Sequence, residues 1–547
     1  MLFGCGFTNE YDVISLDDFD LYRWSVTQTA GTDFGITYGF SLGNWAKISA
    51  SGGADLTYSL SQSKVDFVDM DGDGVVDIVF MPNNTTMAIR YSALGRTGLL
   101  KTVTNPMGGS FDISYHKTEA SVFYGRRWVM DTLIVKDNFE GDGVDSMKLT
   151  YDYHYGYYDR RERAFYGFAK VVETQYDGNN PYRVIKRYYR NDSIYTKGIQ
   201  IGEYINDANG NKYIYTRNTY TFIPPVYASQ SPESLSKFPS LTEVLVCYYE
   251  GQVDPTIVQT KTFTYGAYGN VSQQNETSTS MPLVTATISY HPQQNDNYCV
   301  GIPMSVEVAG YRKRTTQIDS KGRYTEISDY YDANNYLSTT MEYDNFGNCT
   351  RIVYPNSSYS YVYDSEVHTY PVSVRDTFGH TSYAQDYDFR FGIPLKIISK
   401  DSAEMHYTID NWGRLLTIKG PKEIHVPYTI RYQYNNVCFD TINRVITKPA
   451  STYTFNYDPE YPTNDIHVYT YSDGLGRIVQ VKKDAEVDGV EKMVVSGKVM
   501  YDAFGRAIAS YYPVVQNLGD TTYCTQTDTV APSTSTYDIL DRPLLQT

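Results

Sequence analysis

No stretch of the 547 residues approaches the ~18 consecutive apolar residues that a membrane-crossing helix needs. Positive charge is also scarce. Lys and Arg number 47 against 63 Asp and Glu, a net charge of −16, which repels phosphate backbones and anionic lipid and argues against nucleic-acid binding. The six cysteines, Cys5, Cys247, Cys299, Cys349, Cys438 and Cys524, lie far apart with no C-x-x-C, so zinc-finger and thioredoxin-like spacings are excluded. Six separate, mostly buried thiols are expected. The eight histidines form no H-x-H or H-x-x-x-H pair, which removes a zinc protease. There is no Walker loop. An enzyme is not expected. Segments with apolar residues at helical spacing are missing too, and Ala, Leu and Glu are sparse.

What is present is tyrosine, 56 residues against 22 Phe, a ring that suits a half-wet pleated surface. Tyr151, Tyr153, Tyr155 and Tyr157 alternate, as do Tyr359, Tyr361 and Tyr363, and again Tyr428, Ile430, Tyr432 and Tyr434. Period two places each set on one face of a strand. Turn clusters such as Asn209-Gly210-Asn211 and Asp473-Gly474 separate these runs, so the chain reads as all-β. The cluster Arg160, Arg161, Glu162 and Arg163 between two aromatic strands reads as a turn whose charges are solvated or paired with Asp159 and Asp152.

One segment has metal-binding character. In Val68-Asp69-Met70-Asp71-Gly72-Asp73-Gly74-Val75-Val76-Asp77, four carboxylates crowd a tight loop between two strands. Asp69, Asp71, Asp73 and Asp77, with the Val75 carbonyl, are the expected ligands of calcium, because such carboxylates repel one another without a cation. Phe80 stands where an EF-hand would have Glu, so the loop is of another type.

A second pattern repeats: Asp, two residues, Gly, then Arg or Asn, then a strand. It appears as Tyr343-Asp344 to Asn348, Ile409-Asp410 to Arg414, Ser472-Asp473 to Arg477 and Tyr501-Asp502 to Arg506. Weaker copies stand at Asp319 to Arg323, Tyr331-Asp332 and Asp376 to His380; Tyr537-Asp538 to Arg542 carries Asp541 in place of Gly. Asp opens the turn by binding backbone amides and Gly takes the positive φ. One hairpin cannot bury its face alone, so the units must stack into a larger sheet.

These units resemble the YD repeats of Rhs proteins and of the B components of bacterial Tc toxins. Leu99 to Phe111 and Tyr157 to Phe168 resemble blocks of the TcdB middle region and of SpvB-like proteins, and the aspartate loop resembles an FG-GAP or VCBS blade of a β-propeller. The resemblance implies four parts: a partial propeller-like region with the calcium loop at 1–95, a TcdB-type middle region at 96–223, a Pro/Ser-rich connection at 224–240, and YD repeats at 241–547. It further implies a large YD-repeat β-sheet shell or barrel. Such a shell is a secreted, non-catalytic wall that encapsulates a toxic segment, with a neighbouring chain completing it and a delivery pore as a further partner. SpvB-like proteins can also carry an ADP-ribosyltransferase domain, whose E-x-E has no counterpart here. The alternative is a cell-surface adhesin whose aromatic faces stack on glycans.

Leu2-Phe3-Gly4-Cys5 is similar to a lipoprotein cleavage box but lacks the basic and apolar regions that precede one, so no export signal of its own is expected. One calcium-type blade, and a last repeat that stops at Leu544-Leu545-Gln546-Thr547, lead to the expectation of an incomplete shell with open sheet edges. The isolated chain should then aggregate or assemble through its ends. Size-exclusion chromatography with light scattering checks this, and a stable monomer that unfolds cooperatively would refute it.

Overall fold

The alternating Tyr- and Thr-rich segments become strands. The computed structural model describes residues 12–15, 24–39, 52–53, 57–62, 65–70, 75–80, 86–92, 98–118, 127–223, 238–292, 300–440, 445–460, 465–496 and 498–547, and these form 42 strands and no helix. None of the described residues therefore forms a helix able to cross a membrane.

The chain divides into two units. The first comprises residues 1–101, 113–131 and 155–165. It contains a four-stranded antiparallel sheet in the order Asp12–Ser15, Thr86–Arg90, Asp77–Phe80, Val65–Val68. Four strands is the size of one propeller blade, but here only three follow in sequence and the fourth is added from upstream at the edge. The strand Trp24–Gly39 pairs with Gly52–Gly53 and Thr57–Gln62 in a separate three-stranded sheet. The Arg-rich cluster is a turn, as expected. Asp159 Oδ1 caps it by accepting the Arg161 and Glu162 amides at 2.9 and 2.8 Å. The alternation of tyrosines breaks at Tyr155, which takes φ 58° and lies 78% exposed, so the set from Tyr151 to Tyr157 does not share one face.

The second unit comprises residues 102–112, 132–154 and 166–547. Its strands follow one another as antiparallel neighbours, from Trp128–Lys136 to Ile430–Asn435. The order then skips the small hairpin Cys438–Asp440/Val445–Lys448 and continues from Ala450–Asn456 to Val490–Ser496 and Val514–Asn517. Val514–Asn517 meets Thr102–Thr104, and Ser110–Lys117 returns to Trp128–Lys136, so the 29-strand ladder closes on itself, against the expectation of open sheet edges, because its first and last strands pair with each other. Residues 224–237 of the Pro/Ser-rich connection lie outside the described residues. The strands on either side, Lys212–Ile223 and Phe238–Tyr248, pair directly, Ile223 opposite Phe238.

The ladder is one layer thick over most of its course, and its residues are mostly half-buried. Polar links run across it. Arg187 pairs with Glu173 at 2.8 Å and Glu203 at 2.9 Å, and Arg314 binds both oxygens of Asp329 at 2.6 and 2.8 Å. The repeat turns follow one plan. At Asp410, Oδ1 accepts the Trp412 and Arg414 amides at 2.8 and 2.9 Å, while Oδ2 accepts Arg414 Nε at 2.7 Å. Asp319, Asp344, Asp376, Asp502 and Asp538 repeat this geometry with Arg, Asn or His as the last partner. Asp541, in the glycine position of the final copy, adopts φ 63°.

Successive units are hooked together. Tyr434 Oη donates to the Leu415 carbonyl at 2.9 Å, and Arg414 lies 4.4 Å over the Tyr434 ring. Tyr343 with Arg323, Tyr501 with Arg477 and Tyr537 with Arg506 do the same, each hydroxyl reaching the carbonyl just after the arginine.

Two glycines separate the contributions to a turn. Gly413 and Gly476 both take φ near +80°, but a Cβ on Gly413 would meet the Phe391 ring at 2.8 Å whereas one on Gly476 would meet nothing. Gly476→Ala should cost about 1 kcal/mol from φ alone, and Gly413→Ala should cost more. Tyr434→Phe should cost about 1 kcal/mol for its lost hydrogen bond. Urea unfolding of the three variants checks the ranking. Desolvation raises the carboxyls of Asp319, Asp410 and Asp538, but the turn's hydrogen bonds outweigh it and hold them below the ordinary range. A depressed folded-state value adds stability above the unfolded value of about 3.9 and loses it as pH falls through the folded value. Urea midpoints should therefore not lose this turn contribution between pH 7 and 5, and should lose it below about pH 4.

Candidate functional site

The predicted metal segment is a hairpin loop. Val65–Val68 and Asp77–Phe80 pair antiparallel with Val68 opposite Asp77. Asp71 and Asp73 lie outside the described residues. Asp77 is buried; its Oδ2 accepts the Met70 amide and its Oδ1 the Ser92 amide, both at 2.8 Å. Asp77 thus ties the start of the loop to the chain beyond the sheet. Each of its oxygens keeps a second lone pair, so a ligand role fits this geometry. Asp69 and Val75 flank the loop on the described side.

A second acidic site forms where the ladder closes. The loop between the strands Trp128–Lys136 and Ser146–Asp159 carries Asp137, Asp142 and Asp145, whose carboxylates lie within 4.8 Å of one another. The turn at Asp473 docks against it from the far end of the sequence. Arg477 binds its own Asp473 through Nε, Asp137 Oδ2 through Nη2 at 2.5 Å, and approaches Asp142 Oδ2 at 3.5 Å. The backbones interlock as well. The Gly109 amide and the Asn105 side chain donate to the Gly474 carbonyl at 3.0 and 2.7 Å. The Val144 amide donates to Tyr501 O at 3.0 Å, and the Tyr501 amide to Asp142 O at 2.5 Å. Side chains at Gly474 or Gly143 would overlap the Asp137 and Tyr501 backbones, so the approach requires glycine.

The hydrophobic core lies beside this seam: Phe139, Ile446, Tyr453, Tyr469, Tyr471, Val479 and Met493. Residues 520–526 supply a second layer over the sheet there. Gln480, fully buried, exchanges hydrogen bonds of 2.8 Å with the backbone of Cys524. Lys482, also fully buried, donates to Gln516 Oε1 at 2.6 Å, to Asp520 O at 3.2 Å and to Thr522 O. Burial lowers its pKa, but these acceptors satisfy all three ammonium protons.

Electrostatics at the seam are unbalanced. Burial raises the Asp142 carboxyl strongly, and the Asp137 charge adds to this against the pull of Arg477. Burial raises Asp137 as well, partly offset by the Phe139 amide and Arg477. The sequence reading missed this cluster, because Asp137, Asp142 and Asp473 come together only through pairing of strands more than 300 residues apart. A faint signal existed in Gly141-Asp142-Gly143-Val144-Asp145, an aspartate and glycine loop like the one at Asp69. The reading also passed over two repeat turns. Asp207 caps its turn in the repeat manner with Asn211, and Gly266 to Asn270 has the same backbone with Gly in place of Asp. Of the described cysteines, Cys247 and Cys524 are buried and Cys438 is exposed, and all four are free thiols.

Residues 49–197 match the family model of the insecticide toxin TcdB middle/N-terminal region. That span includes the aspartate loop and both blocks, Leu99 to Phe111 and Tyr157 to Phe168. Among solved structures, the TcdB2-TccC3-Cdc42 crystal structure is similar over 96% of this chain and 39% of that chain, with TM-score 0.67 and 13% identity. The TcdB2-TccC3-TEV structure gives TM-score 0.68, again at 13% identity, over 96% of this chain and 39% of that one. The Photorhabdus luminescens Tc holotoxin pore gives 0.67 at 13% identity over 90% and 37%. The chain thus spans about two fifths of the length of the structures it matches. No curated protein sequence matches it. Fold and matched region together make the chain similar to a Tc-toxin B component, as the repeats implied.

Arg477→Lys tests the seam, because one ammonium cannot reproduce a guanidinium that holds Asp473 and Asp137 while covering the Tyr501 ring. The expected loss is on the order of 2–4 kcal/mol in urea unfolding, well above that of the equivalent change at the exposed Arg414.

Proposed function

We propose that the chain forms part of the wall of a secreted toxin-complex shell, a structural and non-catalytic element that encloses a toxic segment carried by a neighbouring chain. The observation that carries this reading is the closed, one-layer ladder. With strands about 4.8 Å apart, 29 of them give a perimeter on the order of 140 Å and a diameter of roughly 45 Å before tilt widens it. Side chains cannot fill such an interior, so a lumen remains for solvent or for another polypeptide. The half-buried residues of the ladder suit a one-layer wall that meets solvent or another polypeptide on both faces. The similarity to structures containing TcdB2 with TccC3, and to a holotoxin pore, supports two partners: a chain that continues the shell and a pore that receives its contents.

Calcium in the loop of Asp69, Asp71, Asp73, Val75 and Asp77 belongs to the same reading, as a brace between two strands ahead of the wall.

Negative-stain imaging of the chain, alone and co-expressed with a YD-repeat chain carrying a payload, is the direct test. The expected result is a low-density centre, with the payload resisting protease until the wall is denatured. A solid particle, or a payload cut as fast as free payload, would overturn the proposal. For the loop, calorimetry should show calcium heat that is reduced in Asp71→Ala/Asp73→Ala; equal heats would remove the brace.

A further inference from the structure

The closure seam holds more carboxyl groups than its one arginine can pair. Asp137, Asp142 and Asp473 are each at most 2% exposed, and Asp145 joins them at the edge of a cavity of about 340 Å³ that Asp137 and Arg477 also line. Arg477 is committed to Asp473 and Asp137. Asp142 has only the longer approach of Arg477, at 3.5 Å. It is 1% exposed, and neither of its carboxylate oxygens receives a hydrogen bond. The buried hydroxyl of Tyr523 also lacks a partner, and after burial itself the Asp142 charge is the largest influence on that phenol. A buried polar group without partners is rare because it costs its full desolvation energy. The Asp142 carboxylate and the Tyr523 hydroxyl are two such groups at one seam, and the carboxylate in particular lacks a donor or a cation.

We propose that the seam is a cation site, in which carboxylate oxygens of Asp137, Asp142 and Asp145 bind a divalent ion, calcium in preference to magnesium. Every donor is a hard oxygen, which excludes the softer metals. The three ligand atoms lie within 4.8 Å of one another, close enough to share one ion, and calcium accepts irregular shells of carboxylate and water oxygens where magnesium demands near-ideal octahedral geometry. The cavity gives the ion a path and room for water to complete its shell. The ion would fix the loop of Asp137 to Asp145 against the repeat turn at Asp473, locking the two ends of the ladder together. The site is separate from the aspartate loop at Asp69 to Asp77.

The test uses the full chain carrying Asp71→Ala/Asp73→Ala, so that the upstream loop cannot respond. Terbium is the probe, because nearby tyrosine rings sensitise its emission. Tyrosine-excited emission should saturate, be displaced by calcium at lower concentration than by magnesium, and fall in Tyr523→Phe/Asp142→Asn. Calcium should also raise the urea midpoint of the parent, and Asp145→Asn should weaken calcium binding about tenfold or more. Asp142→Asn keeps the shape and removes the carboxylate ligand, so in chelator it should be at least as stable as the parent while losing the calcium response. Absence of saturable emission, or an unchanged calcium response in Asp142→Asn, would overturn the site. Neither result depends on the chain enclosing a payload.

Discussion

The structure depends on an aspartate carboxylate that caps its own turn and thereby aims an arginine at the next tyrosine. One oxygen of the carboxylate binds two amides and fixes the turn; the other holds the guanidinium or amide four residues on, as at Asp410 and Arg414. The guanidinium then lies over the tyrosine of the following unit, whose hydroxyl returns to the backbone beside the arginine. Each link is worth only about 1 kcal/mol. A one-layer sheet buries little apolar surface, so it needs many such links in series, each joining nearest neighbours as in other repeat architectures. That explains the surplus of tyrosine over phenylalanine: the ring covers the sheet while the hydroxyl makes the tie.

Local links cannot close a ladder. Closure requires residues near 105 and 140 to meet residues near 475 and 500, at a large loop-entropy cost that local hairpins do not bear. The molecule concentrates its buried groups there. The fully buried Tyr471, Val479 and Met493, the satisfied Gln480 and Lys482, and the glycine-dependent backbone approaches all lie along or beside this seam. The wall forms through short-range pairing, while the seam is of high contact order and is the slow part of folding by that measure.

Much of the wall could be read from residue order. Period-two tyrosines give strands, Asp-x-x-Gly gives the turn, and their recurrence gives a stacked sheet, because each follows from backbone geometry within ten residues. Where the local rule was disguised, it was missed: Gly266 replaces the aspartate altogether, whereas Asp207 to Asn211 follows the Asp-x-x-Gly-Asn pattern in full and was read only as a turn cluster. At Tyr155 the alternation was present in sequence, but a positive φ turned the following residues to the other side.

The sequence by itself determined the all-β class and the capped turns, since these are interactions of residues close along the chain. Only the tertiary structure decided that the ladder closes, and that Arg477, while holding its own Asp473, also reaches Asp137 and Asp142. Strand order is a property of pairing between distant segments, and no local pattern encodes which edge will find which. The same holds for the buried carboxyl of Asp142. A carboxylate is ordinary in sequence and becomes exceptional only when the fold removes its water.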